Sequence, residues 1–237
     1  MKHSFIKEIS VAIRNTQDET RAAHCQKFFK TGKGEYGEGD VFLGVRVPEL
    51  RKLAKTYKHI STYDITHFLK SKYHEERQFA LFVMLNQFKK ADDKTKESIF
   101  QLYLNHTSHI NNWDLVDATA HEIVGGFLFD KDRRILYKLV QSSDLWERRI
   151  AMIATFYFIK RNDFNDALKI AELLLPDTHD LIHKAIGWML REIGKRDLKT
   201  EEAFLQKYYS DIPRTTLRYA IEKFLSNKRK QYLSGTF

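Results

Sequence analysis

A short helical motif returns every 32–39 residues along this chain, and that recurrence constrains the fold more than any other feature. Four segments superpose without gaps: Arg77-Gln78-Phe79-Ala80, Arg148-Arg149-Ile150-Ala151, His183-Lys184-Ala185-Ile186 and Leu217-Arg218-Tyr219-Ala220. Val116-Asp117-Ala118-Thr119 fits the same register. A period of about 34 residues is that of stacked helix pairs, each of which buries its apolar face only against its neighbours. The second position of the register, Gln78, Asp117, Arg149, Lys184 and Arg218, should then lie on an equivalent face each time. A row with Arg149, Lys184 and Arg218 suits a polyanion, whereas one carboxylate in it opposes phosphate binding. Asp117 needs another reason to be there.

With 43% hydrophobic residues and three prolines, Pro48, Pro176 and Pro213, the chain has apolar surface for a core and few helix breakers. Disorder is excluded on those grounds. No Pro/Ser-rich linker divides the sequence, so residues 1–237 read as a single domain. Apolar residues recur at helical spacing almost throughout, which predicts helices over 4–14, 18–30, 75–89, 94–104, 112–127, 131–141, 144–160, 164–174, 179–194, 200–208 and 214–226. Pro48 suits the first turn of another helix, and Thr62 can cap one more. The expected fold is an all-α solenoid whose concave face carries the basic row.

One segment, Thr31 to Gly44, reads as a mobile surface loop, with Gly32, Gly34, Gly37, Gly39 and Gly44. It contains a literal G-x-G-x-x-G from Gly32 to Gly37, yet a helix precedes it and no strand pattern surrounds it, so the dinucleotide reading fails. Lys30, Lys33 and Tyr36 are placed to touch a nucleic acid backbone, while Glu35, Glu38 and Asp40 oppose a simple phosphate cradle. The lone Cys25 excludes an intramolecular disulfide and a cysteine-built metal site. His179 and His183 stand one helical turn apart without a third ligand, and read as hydrogen-bonded surface histidines. The first residues, Met1 to Glu8, break their apolar positions with charges and lack the stretch of a signal peptide, and no run approaches a membrane span. A cytosolic location and no membrane partner are expected. The net charge of +9 favours an anionic partner such as nucleic acid.

Trp113 precedes Asp117 by four residues, so a helix puts both on one face, beside a core stripe of Val116, Ala120, Ile123 and Phe127. Lys184, Trp188 and Arg191 share a face of the helix over 179–194 in the same way. The plainer alternative makes Trp113 and Trp188 core aromatics and Asp117 half of a salt bridge with Arg149 or Lys184. The functional alternative is a carboxylate between indole rings that stabilises a positive centre. Near a surface such a charge pair at ~4 Å is worth about 4 kcal/mol, nearly a thousandfold in rate if it acts only at the transition state.

These residues resemble the bacterial DNA alkylation repair family, the HEAT-like AlkD-type DNA glycosylases. The likeness covers nearly the whole chain and is carried by Asn112-Trp113-Asp114-Leu115-Val116-Asp117, by Leu145-Trp146-Glu147-Arg148-Arg149 and by the stretch from Lys184 to Glu192. The stretch from Phe42 to Arg51, which includes Arg46, supports it. The resemblance implies hydrolysis of the N-glycosidic bond of cationic alkylated purines, N3-methyladenine and N7-methylguanine, in duplex DNA, with no cofactor and no metal. It makes Asp117 the catalytic carboxylate, Trp113 and Trp188 the aromatic walls at the lesion, and Arg149 and Arg191 phosphate contacts. Lys184, Arg218 and Arg46 join the expected DNA-binding set, and the protein is expected to act as a monomer with no obligate protein partner. Unlike most glycosylases, which extrude the target base, the family is similar to a clamp that leaves the lesion stacked and works from the backbone side.

Two departures stand out: Phe28 replaces a hydroxyl-bearing aromatic on an early helix, and the Gly32 to Asp40 loop is an insertion. The competing expectations are a non-catalytic member that binds distorted or branched DNA, and a helical-repeat protein scaffold.

Overall fold

The computed structural model describes residues 5–237, and among them every regular element is helical. The one strand-like contact is an isolated bridge between Val41 and Tyr73. The chain divides into two compact units, Met1–Thr119 and Ala120–Phe237.

In the first unit the elements are α1 (Ile6–Arg14), α2 (Glu19–Phe28), α3 (Val47–Thr56), α4 (Thr62–Leu69), α5 (His74–Phe88), α6 (Asp93–Leu104), a 3-10 turn (Thr107–His109) and α7 (Trp113–Ala120). The helix predicted over 4–14 is α1. Ser4, its first position, lies outside the described residues, as do Met1, Lys2 and His3 of the stretch read for a signal peptide. Helix α5 is the hub: it packs on α3, α4 and α6 and is buried almost all round, from Phe79 to Leu85 without a break. A helix apolar on every side belongs in a core, and each buried Leu, Phe or Met there contributes about 1.5–3 kcal/mol. Pro48 does sit in the first turn of α3. The cap of α4 is Ser61 rather than Thr62: Ser61 accepts from the Asp64 amide while Asp64 reaches back to the Ser61 amide, so the reciprocal pair selects the earlier residue.

The second unit holds a π-helical turn (His121–Gly125), α8 (Gly126–Leu128), α9 (Arg134–Val140), α10 (Leu145–Ala154), α11 (Phe156–Ile159), α12 (Asn165–Leu174), α13 (Asp180–Gly194), α14 (Leu198–Lys207), α15 (Arg214–Ala220), a 3-10 turn (Ile221–Lys223) and α16 (Ser226–Ser234). Its centre is α13, which packs on α10 and on α15, while α12 and α14 also lie against it. That is the helix-pair stacking which the repeat predicts. The single helix expected over 144–160 is broken at Thr155, a buried residue whose hydroxyl donates to the Met152 carbonyl at 2.7 Å and competes with the helical ladder. The pattern over 214–226 stops at Ala220, and Phe224 is already extended. Helix α16 escaped the sequence reading because it is polar all round, with Tyr232 its buried residue.

Candidate nucleic-acid interface

Helix α7 brings the two leading candidates onto one face of the first unit. Trp113 is its first residue, Asp117 follows one turn later, and both are half-buried. The Trp113 ring stacks on Phe29 with centroids 5.2 Å apart and meets Phe28 edge to face at 6.0 Å. Phe28, the last residue of α2, is 55% exposed, and His24 stacks on it at 6.2 Å. The aromatic on the early helix is thus beside Trp113 and open to solvent, without a hydroxyl. Behind α7, the buried Tyr103 hydroxyl lies 3.2 Å from Thr119 Oγ1, which donates to the Leu115 carbonyl at 2.6 Å. Burial first, and the nearby charge of Asp117, push the Tyr103 hydroxyl above its ordinary range, while the bond to Thr119 opposes them. Tyr103 therefore stays a neutral phenol near Asp117.

The first turns of α5 and α7 are tied together by buried charge. His74 Nδ1 lies 3.0 Å from Asp40 Oδ2 and its Nε2 lies 2.9 Å from Asp114 Oδ2. Arg77 donates to Asp40 at 2.6 Å and Gln78 to Asp114 at 2.9 Å. Burial pulls the His74 pKa down, but the two aspartates outweigh it and raise it to about 9. Burial pushes Asp40 up, and His74 and Arg77 overcome that to hold it below the ordinary carboxylate range. One residue further on, Glu75 accepts from the amides of Leu43, Gly44 and Val45 at 2.7–3.2 Å. The segment expected to be a mobile surface loop is thus fastened to α5 at its carboxyl end. Gly44 is required there: its φ is +76°, and a Cβ would sit 2.1 Å from the Asp18 carbonyl. Of the loop's acids only Asp40 is buried; Glu35 accepts from the Gly32 amide and Glu38 from the Gly34 amide at the surface, where Lys30 and Lys33 are exposed as well.

The second unit carries most of the predicted cations, and they differ in what they offer. Lys184, Trp188 and Arg191 do share a face of α13, and all three are half-buried. Lys184 pairs with Asp180 at 2.7 Å, Arg191 with Glu222, and Trp188 Nε1 donates to Glu192 at 3.3 Å. Phe156 stands 5.7 Å from Trp188, and the Lys160 ammonium lies over the Phe156 ring, 4.6 Å from its centroid. Arg218, on α15, is exposed, but Arg149, on α10, is only 4% exposed and donates to the Leu181 carbonyl. The repeat row is therefore not uniformly open, since Gln78 is also 4% exposed. In the first unit Arg46 is exposed as the residue before α3. His179 and His183 serve the start of α13: His179 accepts from the Leu181 amide, and His183 bonds the Asp177 carbonyl.

Sequence reasoning missed Phe29, Asp40, His74 and Asp114. Asp114 sat inside the Asn112 to Asp117 block that carried the resemblance, and so was visible as a motif residue. Nothing in the run His74-Glu75-Glu76-Arg77-Gln78 marked it as interior, because five consecutive polar residues read as solvated surface.

A model of the family described as DNA alkylation repair enzyme matches residues 9–224. A predicted DNA alkylation repair enzyme from Enterococcus faecalis is similar in structure, with a TM-score of 0.67 at 17% identity over 89% of this chain and 97% of that one. AlkD2 from Streptococcus mutans gives 0.56 at 18% identity, over 88% of this chain and 99% of its own. The protein smu.31 from Streptococcus mutans UA159 gives 0.52 at 17%, over 94% and 100%. At such identities the likeness is one of fold. No curated protein matches the sequence. The family match reaches from α1 to the residue after the last 3-10 turn, over the same helical repeat that these three structures contain, and the chain belongs to the DNA alkylation repair enzyme family.

Proposed function

We propose that this protein is a monofunctional DNA glycosylase that hydrolyses the N-glycosidic bond of cationic alkylated purines, N3-methyladenine and N7-methylguanine, in duplex DNA. The observation that supports it most is the half-buried Asp117 one turn beyond Trp113, at the edge of an aromatic surface whose outermost ring, Phe28, faces solvent. An alkylated purine already carries positive charge, so it leaves as a neutral base without a general acid. As the C1′–N bond breaks, the bonding pair goes with the base and positive charge develops on the sugar. Asp117 stabilises that charge and orients the water that closes the C1′–O bond, whose proton passes to solvent. Trp113 and Trp188 would contact the lesion, and Lys184, Arg191, Arg218 and Arg46 would meet the phosphates, with no cofactor needed, whereas the buried Arg149 serves the packing of its own unit.

The second reading, a non-catalytic family member that binds distorted or branched DNA, draws on the missing hydroxyl at Phe28, the exposed aromatic beside Trp113. Single-turnover release of N7-methylguanine from a defined duplex separates the two. Asp117→Asn is expected to slow release by about a hundred- to a thousandfold, the worth of one charge pair near a surface, with duplex binding retained. Equal release by wild type and variant rules out the carboxylate role. Release by neither, with tight salt-sensitive binding, replaces the glycosylase with the binding protein.

A further inference from the structure

We propose that His74 is a positioning residue: bridging Asp40 of the glycine-rich segment and Asp114 of α7, it sets where the Trp113 ring stands, and so governs that site without touching DNA. Its functional consequence rests on the glycosylase reading, but its structural core does not.

Both ring nitrogens of His74 lie within 3.0 Å of carboxylate oxygens. An ionised carboxylate only accepts, so a ring held between two of them donates from both nitrogens, as an imidazolium does. Two routes lead from it to Trp113. One is covalent: Asp114 follows Trp113 directly, and its other oxygen accepts from the Leu115 amide at 3.0 Å, which pins the first turn of α7. The other runs through rings. Phe42 stacks on His74 at 4.4 Å, Phe29 lies 5.3 Å from His74 and 5.0 Å from Phe42, and the same Phe29 stacks on Trp113. A buried ion cluster seldom stabilises more than an apolar cluster of the same volume, so its benefit is in orientation. Here the oriented element begins with the tryptophan of the candidate site.

The charged neighbours balance. Asp40 from the loop and Asp114 from α7 face His74, and Arg77 on α5 offsets the second carboxylate. Glu75 is turned to the loop amides, and Glu76 to Ser71 and Arg14. The Cys25 thiol is raised by burial first and then by Glu75 and Asp114, so it also ionises on the alkaline side.

The test uses the full chain labelled with 5-fluorotryptophan, its three resonances assigned with Trp113→Phe, Trp146→Phe and Trp188→Phe. His74→Gln cannot donate at both ends, and the Trp113 resonance is expected to shift while those of Trp146 and Trp188 stay. Asp114→Asn should give the same selective shift, and decides the matter if His74→Gln does not fold. In the wild type, the bridge is present below the His74 pKa and lost as pH rises through about 9, so the Trp113 resonance should titrate there. That titration needs no variant, and Cys25→Ser should leave it in place. A Trp113 resonance that ignores both substitutions, that moves only together with the other two, or that does not titrate overturns the proposal. If the wild type releases N7-methylguanine, His74→Gln should slow release about ten- to a hundredfold, as for a displaced catalytic group, with affinity for undamaged duplex retained. Absence of release in the wild type refutes the glycosylase reading and leaves the fluorine result to decide positioning.

Discussion

Individual side chains in this protein are placed by what they pair with, and Glu201 shows the cost of having no partner. It is 1% exposed, its Oε1 makes no hydrogen bond, and its Oε2 lies where a Cβ on Gly194 would be. Burial first, then the charge of Glu202, push its carboxyl up to about 8 against the pull of Arg191. A carboxyl raised on folding contributes stability that is complete below its unfolded pKa and is lost as pH rises through the folded one, here across about 4.5 to 8. Glu201→Gln removes the ionisation, so thermal denaturation at pH 8.5 should show a gain on the order of 1 kcal/mol, roughly 2–4 °C, that vanishes near pH 5. A constant difference across that range would remove Glu201 as the cause.

Elements meet where small residues let them. On α13, a Cβ at Gly187 would lie 2.5 Å from the Thr216 carbonyl and 2.5 Å from Tyr219 Cβ, both on α15. Alanine raises helix propensity by about 1 kcal/mol, but overpacking at a backbone contact costs roughly 1–3. Gly187→Ala should therefore be net destabilising in urea denaturation, and a stabilised variant would show that α15 can move away freely. The same scale explains where the predicted elements erred. Thr155 and Ala220 end helices whose apolar periodicity runs on past them, because a hydroxyl-to-carbonyl bond and a tightened last turn are invisible to periodicity. Helix α16 shows the converse, a helix without an apolar stripe that is held by the burial of Tyr232, whose carbonyl accepts from Tyr209 Oη at 2.7 Å.

For the whole molecule the net charge of +9 sets the long-range behaviour. If DNA is the partner, affinity should fall by about 0.9 log units per log unit of salt for each phosphate neutralised. Lys184→Ala and Arg218→Ala should each lower that slope by about one contact. Arg149→Ala should act differently, because a buried guanidinium that donates to the Leu181 carbonyl leaves an acceptor unsatisfied when removed. A lower melting temperature with little change in slope is expected for it, and a full slope change without loss of stability would return Arg149 to the phosphate-binding set. The described helices include none long and apolar enough to cross a membrane.

The helical repeat, the class of the fold and the pairing of Trp113 with Asp117 on one face were determined by the sequence itself, because period and spacing are local properties of a helix. The stacking of α10, α13 and α15 follows from the same apolar stripes. Only the tertiary structure decided which polar residues lie inside. His74 meets partners 34 and 40 residues away, and Arg149 finds a carbonyl 32 residues on, so their burial depends on contacts that no local pattern encodes. A charged side chain is costly in the interior until a partner is supplied, and the partner is chosen by the fold. That is why the aromatic and acidic face of α7 was legible in the chain, while the buried imidazolium behind it was not.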